Sequence, residues 1–252
     1  MNKNFFDFNV SKEKSEFHCK EIIRWVNLHD KCRWLACLNP HSYAVSLNDK
    51  EFFNALLDAD ILIPDGVGLL LVSRLFRMGI DLRVTGSDIF YSLNELMDGE
   101  GGFKVFFLGS SNDTLLLISK KMSIDYPNIK IVGLHSPPFK NEFNKYETDH
   151  MIEIINNAKP DILWVGMTAP KQEKWIYHNR KRLNVGFSCA VGAVFDFYSG
   201  QVIRPNKFFQ SLGLEWLFRL FKQPKKLWRR VFVSGPKFIA HLVFFSTKNF
   251  FK

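Results

Sequence analysis

Six short apolar runs, each followed by a longer amphipathic stretch, limit what this chain can fold into. They are RWLACL (33–38), ILIP (61–64), KVFFLG (104–109), IKIVGL (129–134), DILWVG (161–166) and VGFSCAVG (185–192). Most do not alternate apolar with polar residues, which is the pattern of strands buried on both faces of a parallel sheet. Helical periodicity fills the gaps, near 47–58, 67–78, 87–98, 112–125, 146–157 and 171–182. Strands and helices alternating at this spacing predict βαβ units and an α/β fold with a doubly wound, mostly parallel sheet. Local signals agree. Ser111 or Asn112 can cap the helix after the third run. Pro127-Asn128 interrupts the chain before the fourth. Pro170 stands where a helix opens and its missing N–H costs nothing. A hydrophobic share of 46% is that of a chain with a packed core, not of a disordered one.

After Gly200 the pattern changes. Residues 206–222, 224–233 and 236–250 read as basic, aromatic-rich helices separated by Pro224 and Gly235-Pro236. Residues 202–252 hold eleven Lys/Arg against one acidic residue, Glu215, so the chain's net charge of +9 resides in this tail. The division expected is a catalytic domain over 1–200 and a helical appendage over 201–252. A basic tail can meet nucleic acid, anionic lipid or a phosphorylated ligand. Here it is also rich in Phe, which favours a lipid surface. Its best apolar stretch, 231–245, is interrupted by Gly235, Pro236, Lys237 and His241, and falls short of the ~20 residues of a spanning helix. Four cysteines without paired or metal-type spacing, and an N-terminus without a long apolar segment, lead us to expect reduced thiols in the cytoplasm.

Ligands of doubly wound sheets bind outside the carboxyl ends of the strands, so the segments leaving the runs are the candidates. Asp65 follows ILIP directly, with Gly66 and Gly68 beside it; the glycines would admit a ligand to the backbone and the helix N-terminus behind them favours anions. The competing reading is that Asp65 only caps that helix. Next comes Arg83-Val84-Thr85-Gly86-Ser87-Asp88, where Arg83 could pair with phosphate and Thr85 and Gly86 could line the same pocket, unless the segment is a loop whose Ser87 caps a helix. Gly109 closes the third run and Gly166 the fifth. In the helix that follows the fifth run, Lys171 could meet phosphate while Gln172 and Glu173 could hydrogen-bond a sugar or base; a solvated first helical turn is the alternative. Asp196 lies at the last strand exit, in GAVFDFYSG. In the tail, Arg219, Lys226 and Arg229 are spaced to share one helical face, suited to diphosphate or anionic lipid heads.

Asp58-Ala59-Asp60 matches the DxD pattern that holds a divalent cation in many sugar transferases, but it precedes a strand and so sits at the wrong end of the sheet; no metal site is expected. No run is followed by GxGxxG, which argues against a dinucleotide oxidoreductase. His41 stands alone, as structural histidines usually do.

Taken in order, LNPHSYAV, ADILIPDGVG, RVTGSD, VFFLGSS, YPNIKIVG, VGMTAPKQEKWI, VGAVFDFYSG and GLEWLFRLFKQPKKLWRR resemble the motifs of the bacterial WecG/TagA/CpsF glycosyltransferases, over about residues 35–230. The resemblance implies a Rossmann-like α/β fold whose C-terminal appendage closes over the site at the inner face of the cell membrane. It implies an inverting, metal- and cofactor-independent transfer of N-acetylmannosamine, its uronic acid or glucose from a UDP-sugar to a polyprenyl-diphosphate-linked saccharide of a surface polysaccharide. The family's base matches Asp65, its donor-diphosphate cations match Arg219, Lys226 and Arg229, and its glutamine matches Gln172. Asn39, in the first motif, joins the substrate-binding candidates. Two positions depart from the family: Cys37 stands where Thr is usual and Lys226 where Arg is common. Homo-oligomerisation is left open. The alternatives are a non-enzymatic protein that binds nucleic acid or anionic lipid through its tail, and a nucleotide-sugar epimerase or dehydrogenase.

Overall fold

A computed structural model describes residues 5–203, 209, 215–222 and 224–250, and within the last two stretches the side chains of 216–218, 220, 221, 224 and 227–244. All six apolar runs are strands: β1 (Arg33–Leu38), β2 (Ile61–Pro64), β3 (Lys104–Gly109), β4 (Lys130–His135), β5 (Ile162–Gly166) and β6 (Phe187–Ala190). They form one sheet in the order β2-β1-β6-β5-β3-β4, with every pairing parallel. The fold is Rossmann-like α/β, as the alternation of runs and helices predicts.

Burial on both faces explains why the runs do not alternate with polar residues. Along β1, Trp34, Ala36 and Leu38 enter one core cluster while Leu35 enters the other; β3 divides Phe106 and Leu108 from Val105 and Phe107 in the same way. The first cluster lies under α2 (Pro40–Ser46), α3 (Lys50–Asp58), α7 (Lys145–Ala158) and α8 (Lys171–Asn179). The second lies under α1 (Ser15–Leu28), α5 (Gly86–Glu100), α6 (Asn112–Asp125) and α9 (Val194–Tyr198). α4 (Val67–Leu75) joins β2 to the loop before α5 and buries Leu69 and Val72. Chain entry protects the sheet edge: Phe5, Phe8 and Val10 are buried, and the Ser11 N–H donates to the Leu62 carbonyl of edge strand β2 at 2.8 Å.

The strand order positions a crevice. After β3 the chain moves outward to β4, whereas after β5 it moves inward to β6. Neighbouring strands whose crossovers leave in opposite directions open a cleft at their carboxyl ends, and here those ends are Gly109 and Gly166. A Cβ on Gly109 would lie 2.5 Å from the Gly166 carbonyl oxygen, and one on Gly166 would lie 2.5 Å from the Phe195 ring. Both glycines are therefore required by packing, and the φ of +115° at Gly109 adds a backbone reason.

The far end of the sheet holds the DxD pair. Asp58 accepts from the Trp34 indole N–H at 3.2 Å and from Arg180 at 2.6 Å, and Asp60 accepts from the Trp34 backbone N–H at 3.0 Å. Both carboxylates are committed to joining α3, β1 and the turn after α8, away from the strand exits. Among the described residues no three His, Cys, Asp or Glu side chains are grouped to hold a metal ion.

The tail is built from α10 (Glu215–Lys222), α11 (Pro224–Arg229), a π-helical turn (Arg230–Ser234) and α12 (Gly235–Phe250). Two helices separated by Gly235-Pro236 were expected; instead the π turn runs straight into α12. Pro236 cannot donate to the carbonyl four residues back, and a turn with i→i+5 bonding tolerates that loss without ending the helix. The tail packs back on the sheet domain. Phe238 joins the first core cluster, its ring centroid 5.4 Å from that of Tyr43, and Tyr43 Oη lies 3.0 Å from His241 Nδ1. No described helix is long and apolar enough to cross a membrane.

Candidate active site

Four strand exits, β1, β2, β5 and β6, meet at one rim. The Asp65 N–H donates to the Leu38 carbonyl at 2.7 Å, tying the end of β2 to that of β1. The Val84 N–H donates to the Pro64 carbonyl at 3.2 Å, which brings Arg83 and Thr85 to the same place. Gly86, at the start of α5, lies so close to β1 and β6 that a Cβ there would stand 3.4 Å from Cys37 Sγ and 3.5 Å from the Val191 carbonyl oxygen. Gly192, leaving β6, faces the Gln172 amide, 3.5 Å from where its Cβ would be.

Asp65 is half-buried, and the N-cap position of α4 falls on Gly66, one residue later. The flanking glycines serve packing more than ligand access. Gly66 adopts a φ of +137°, and a Cβ on Gly68 would lie 2.6 Å from Pro40 Cγ. They let α4 and α2 start side by side.

Two other candidates hold their own helices. Asn39 Oδ1 accepts from the N–H groups of His41 and Ser42 at 3.0 and 2.9 Å, while the Ser42 hydroxyl accepts the Asn39 N–H at 2.7 Å, forming a capping box on α2. Thr85 and Asp88 form the same device on α5, so Thr85 is the cap and Ser87 lies buried inside the helix. Lys171 turns away from the crevice: it donates to the Lys140 carbonyl at 2.7 Å and lies 4.7 Å from the Phe143 ring centroid. Asp196 is half-buried in α9, and its carbonyl accepts the Val202 N–H at 3.0 Å, which turns the chain towards the tail.

The most unusual group is Glu173. It is 1% exposed, in the first turn of α8. Its Oε1 accepts from Gln172 Nε2 at 2.9 Å; Gln172, itself buried, accepts the Met167 N–H at 3.2 Å. Burial pushes the Glu173 carboxyl up to about 7, against the opposing pull of the Gln172 bond and the Arg230 charge. Burial also raises the Cys37 thiol well above its ordinary range, and the carboxylates of Asp65 and Glu173 add to the effect, so the three groups lie near one another. The Cys37 thiol points at the Ala190 carbonyl, 3.8 Å away.

The side chains of Arg219 and Lys226 lie outside the described residues. Arg229 is exposed and sits 5.5 Å from the Trp228 ring centroid. Among the described tail cations, its neighbour Arg230 is near enough for its charge to act on both Glu173 and His41. His41 Nδ1 lies 2.7 Å from the Ser234 hydroxyl. From the sequence alone His41 reads as structural and Arg229 stands out for its spacing with Arg219 and Lys226, while Ser234 and Arg230 are not singled out. The four-residue interval between Arg230 and Ser234 was the one available signal, and it becomes informative only once the π turn is known.

The chain matches the glycosyl transferase WecG/TagA/CpsF family over residues 3–249. It is 30% identical over 206 residues to the N-acetylglucosaminyldiphosphoundecaprenol N-acetyl-β-D-mannosaminyltransferase of Bacillus subtilis, covering 81% of this chain and 76% of that protein. With the protein of the same name from Bacillus spizizenii it shares 29% identity over 211 residues, 84% of this chain and 79% of the relative. A family match over nearly the whole length, on a parallel six-stranded sheet, leads to one assignment: the chain belongs to the WecG/TagA/CpsF family of glycosyl transferases.

Proposed function

We propose that this glycosyltransferase moves N-acetylmannosamine, its uronic acid or glucose from a UDP-sugar to a polyprenyl-diphosphate-linked saccharide, with inversion and without a metal. The observation that carries the reading is the place of Asp65, at the exit of β2, hydrogen-bonded through its backbone to the end of β1 and one residue ahead of the helix cap. Asp65 removes the proton from the acceptor hydroxyl as that hydroxyl attacks the anomeric carbon of the donor. The bond to UDP breaks, and the cations Arg219, Lys226 and Arg229 take up the charge that develops on the leaving diphosphate. Asn39, Arg83, Thr85, Gly86, Gln172, Glu173 and Asp196 shape the pocket around this exchange. The names of the two Bacillus relatives support an acceptor bearing a polyprenyl diphosphate.

The test is a panel of UDP-sugars offered with a polyprenyl-diphosphate-linked acceptor, in the presence and absence of EDTA, with the anomeric configuration of the product read by NMR. Transfer that survives EDTA and inverts the anomeric centre supports the reading. Loss of turnover in EDTA, or retention of configuration, removes the corresponding element.

In the same reading, residues 201–252 form an appendage that brings the 1–200 domain to the cytoplasmic face of the membrane. Trp216, Phe221, Trp228, Phe232, Val243 and Phe244 are exposed in a segment whose own net charge is +10. The full chain is expected to sediment with vesicles containing phosphatidylglycerol and not with phosphatidylcholine alone, and to release as salt rises. Equal sedimentation with both would set aside the electrostatic part. Salt-sensitive binding to DNA with no vesicle binding would favour the nucleic-acid alternative.

A further inference from the structure

Tyr43 is 1% exposed, so its hydroxyl needs a partner inside the protein. That partner comes from the tail: Tyr43 Oη lies 3.0 Å from His241 Nδ1. Burial raises the Tyr43 hydroxyl above its ordinary range, so it bonds as a neutral group. A second tie joins His41 Nδ1 to the hydroxyl of Ser234, itself buried, at 2.7 Å. Apolar contacts surround both. Phe238 is buried against the Tyr43 ring, and the Phe6 ring stands 5.5 Å from that of Tyr43 and 5.9 Å from that of His241. Apolar packing is non-directional, and alone it would let a helix slide or roll. The hydrogen bonds restrict both motions. Ser234 and His241 are seven residues apart, about 10 Å along a helix, while His41 and Tyr43 project from α2 about 160° apart around its axis. α2 is also the helix that leaves the rim. The His41 N–H is held by Asn39 Oδ1 at 3.0 Å, and the Leu38 carbonyl, one residue before Asn39, accepts the Asp65 N–H at 2.7 Å. One short segment, 38–43, thus anchors both Asp65 and the tail.

We propose that His41 and Tyr43 are positioning residues: as the seat of the tail on α2, they set the register of the π turn, and of Arg229 directly before it, against the rim that holds Asp65. Neither touches the reacting atoms. Their effect passes through the tail, by holding its cations where the leaving diphosphate is neutralised. That role in transfer rests on the proposed function; the seat itself does not.

The experiment is hydrogen–deuterium exchange on the full-length protein, following amides of 235–250 with those of β3 and β5 as an internal reference, together with steady-state kinetics on the same samples. Tyr43→Phe keeps the ring and removes the hydroxyl; Ser234→Ala removes the partner of His41. Each is expected to speed exchange across 235–250 by about fivefold, the weight of one hydrogen bond, with the reference strands unchanged. KM for the UDP-sugar should rise by a similar factor while kcat stays within about twofold, because bound donor draws the loosened tail back. His41→Asn, whose amide stands about where Nδ1 does, should recover most of the protection that His41→Ala loses. Unchanged tail exchange in both Tyr43→Phe and Ser234→Ala, or equally faster exchange in β3 and β5, would overturn the seat. Loosened tails with a wild-type KM would overturn the positioning role. A wild-type protein that transfers no sugar, but whose variants loosen as expected, loses the proposed function and with it the role in transfer, and keeps the seat.

Discussion

Replacing Asp65 by Asn is expected to lower sugar transfer by about 10²–10⁴-fold while leaving the circular dichroism and the Tm of the protein unchanged. Asn has the shape of Asp and can still accept a hydrogen bond, but it cannot take a proton from an attacking hydroxyl. The local backbone scaffold is kept by the substitution. The cap of α4 falls on Gly66, and the tie between β2 and β1 uses the Asp65 backbone N–H, which the substitution keeps. The loss should therefore appear in kcat, with KM for the UDP-sugar little changed, as for a group needed in the transition state and not for donor binding. Near wild-type turnover would remove Asp65 from the mechanism. A fall in Tm matching the fall in activity would return it to a structural role.

The second large effect is a pair of opposing pH dependences. Glu173 rises from an ordinary 4.5 to about 7 because burial disfavours its charged form. A raised carboxyl leaves the folded state holding a proton that the unfolded chain has released, so its contribution is complete below about pH 4.5 and is lost as pH climbs through 7. His41 moves the other way, from 6.5 to about 4, through burial and the nearby Arg230 charge. Its contribution is present above pH 6.5 and is lost as pH falls through 4. Each shift corresponds to about 3 kcal/mol at full extent. Between pH 4.5 and 6.5 the two slopes oppose each other. His18 and His135, whose burial also lowers them, add to the His41 slope, so in urea titrations the stability of Glu173→Gln should rise with pH more steeply than that of wild type, and that of His41→Asn less steeply. Parallel pH profiles for all three proteins would show that neither group is perturbed in the folded state. Glu173→Gln is thus expected to stabilise the protein at neutral pH, where wild type must carry a buried charge.

Much of the architecture was legible because strand and helix signals are local. Apolar runs too short for helices, without alternation, reported burial on both faces, and all six are strands. Three helices were harder to see. α1 carries charged residues through its length, α2 spans only seven residues, and α9 lies within a Gly-bounded segment that reads as a strand exit. The break expected at Gly235-Pro236 was drawn from a sound local rule, but the packing of Phe238 and His241 on Tyr43 carries the helix through it. At the site, several structural duties of the candidate residues were not legible from the motifs. Asn39 and Thr85 are engaged as helix caps, Lys171 holds a loop, and Gly68 makes room for Pro40.

What the amino-acid order determined by itself was the set of strands, the ends at which chemistry can sit, the candidacy of Asp65 and the concentration of positive charge in the tail. These follow from side-chain periodicity and composition, which act over a few residues. Only the tertiary structure decided which exits become neighbours. The order β2-β1-β6-β5-β3-β4 brings Cys37, Asp65 and Glu173 near one another, with Glu173 the buried member, and the tail returns onto α2 through Phe238 and His241. Charge acts through space and desolvation depends on everything packed around a group, so neither could be read before the chain had closed on itself.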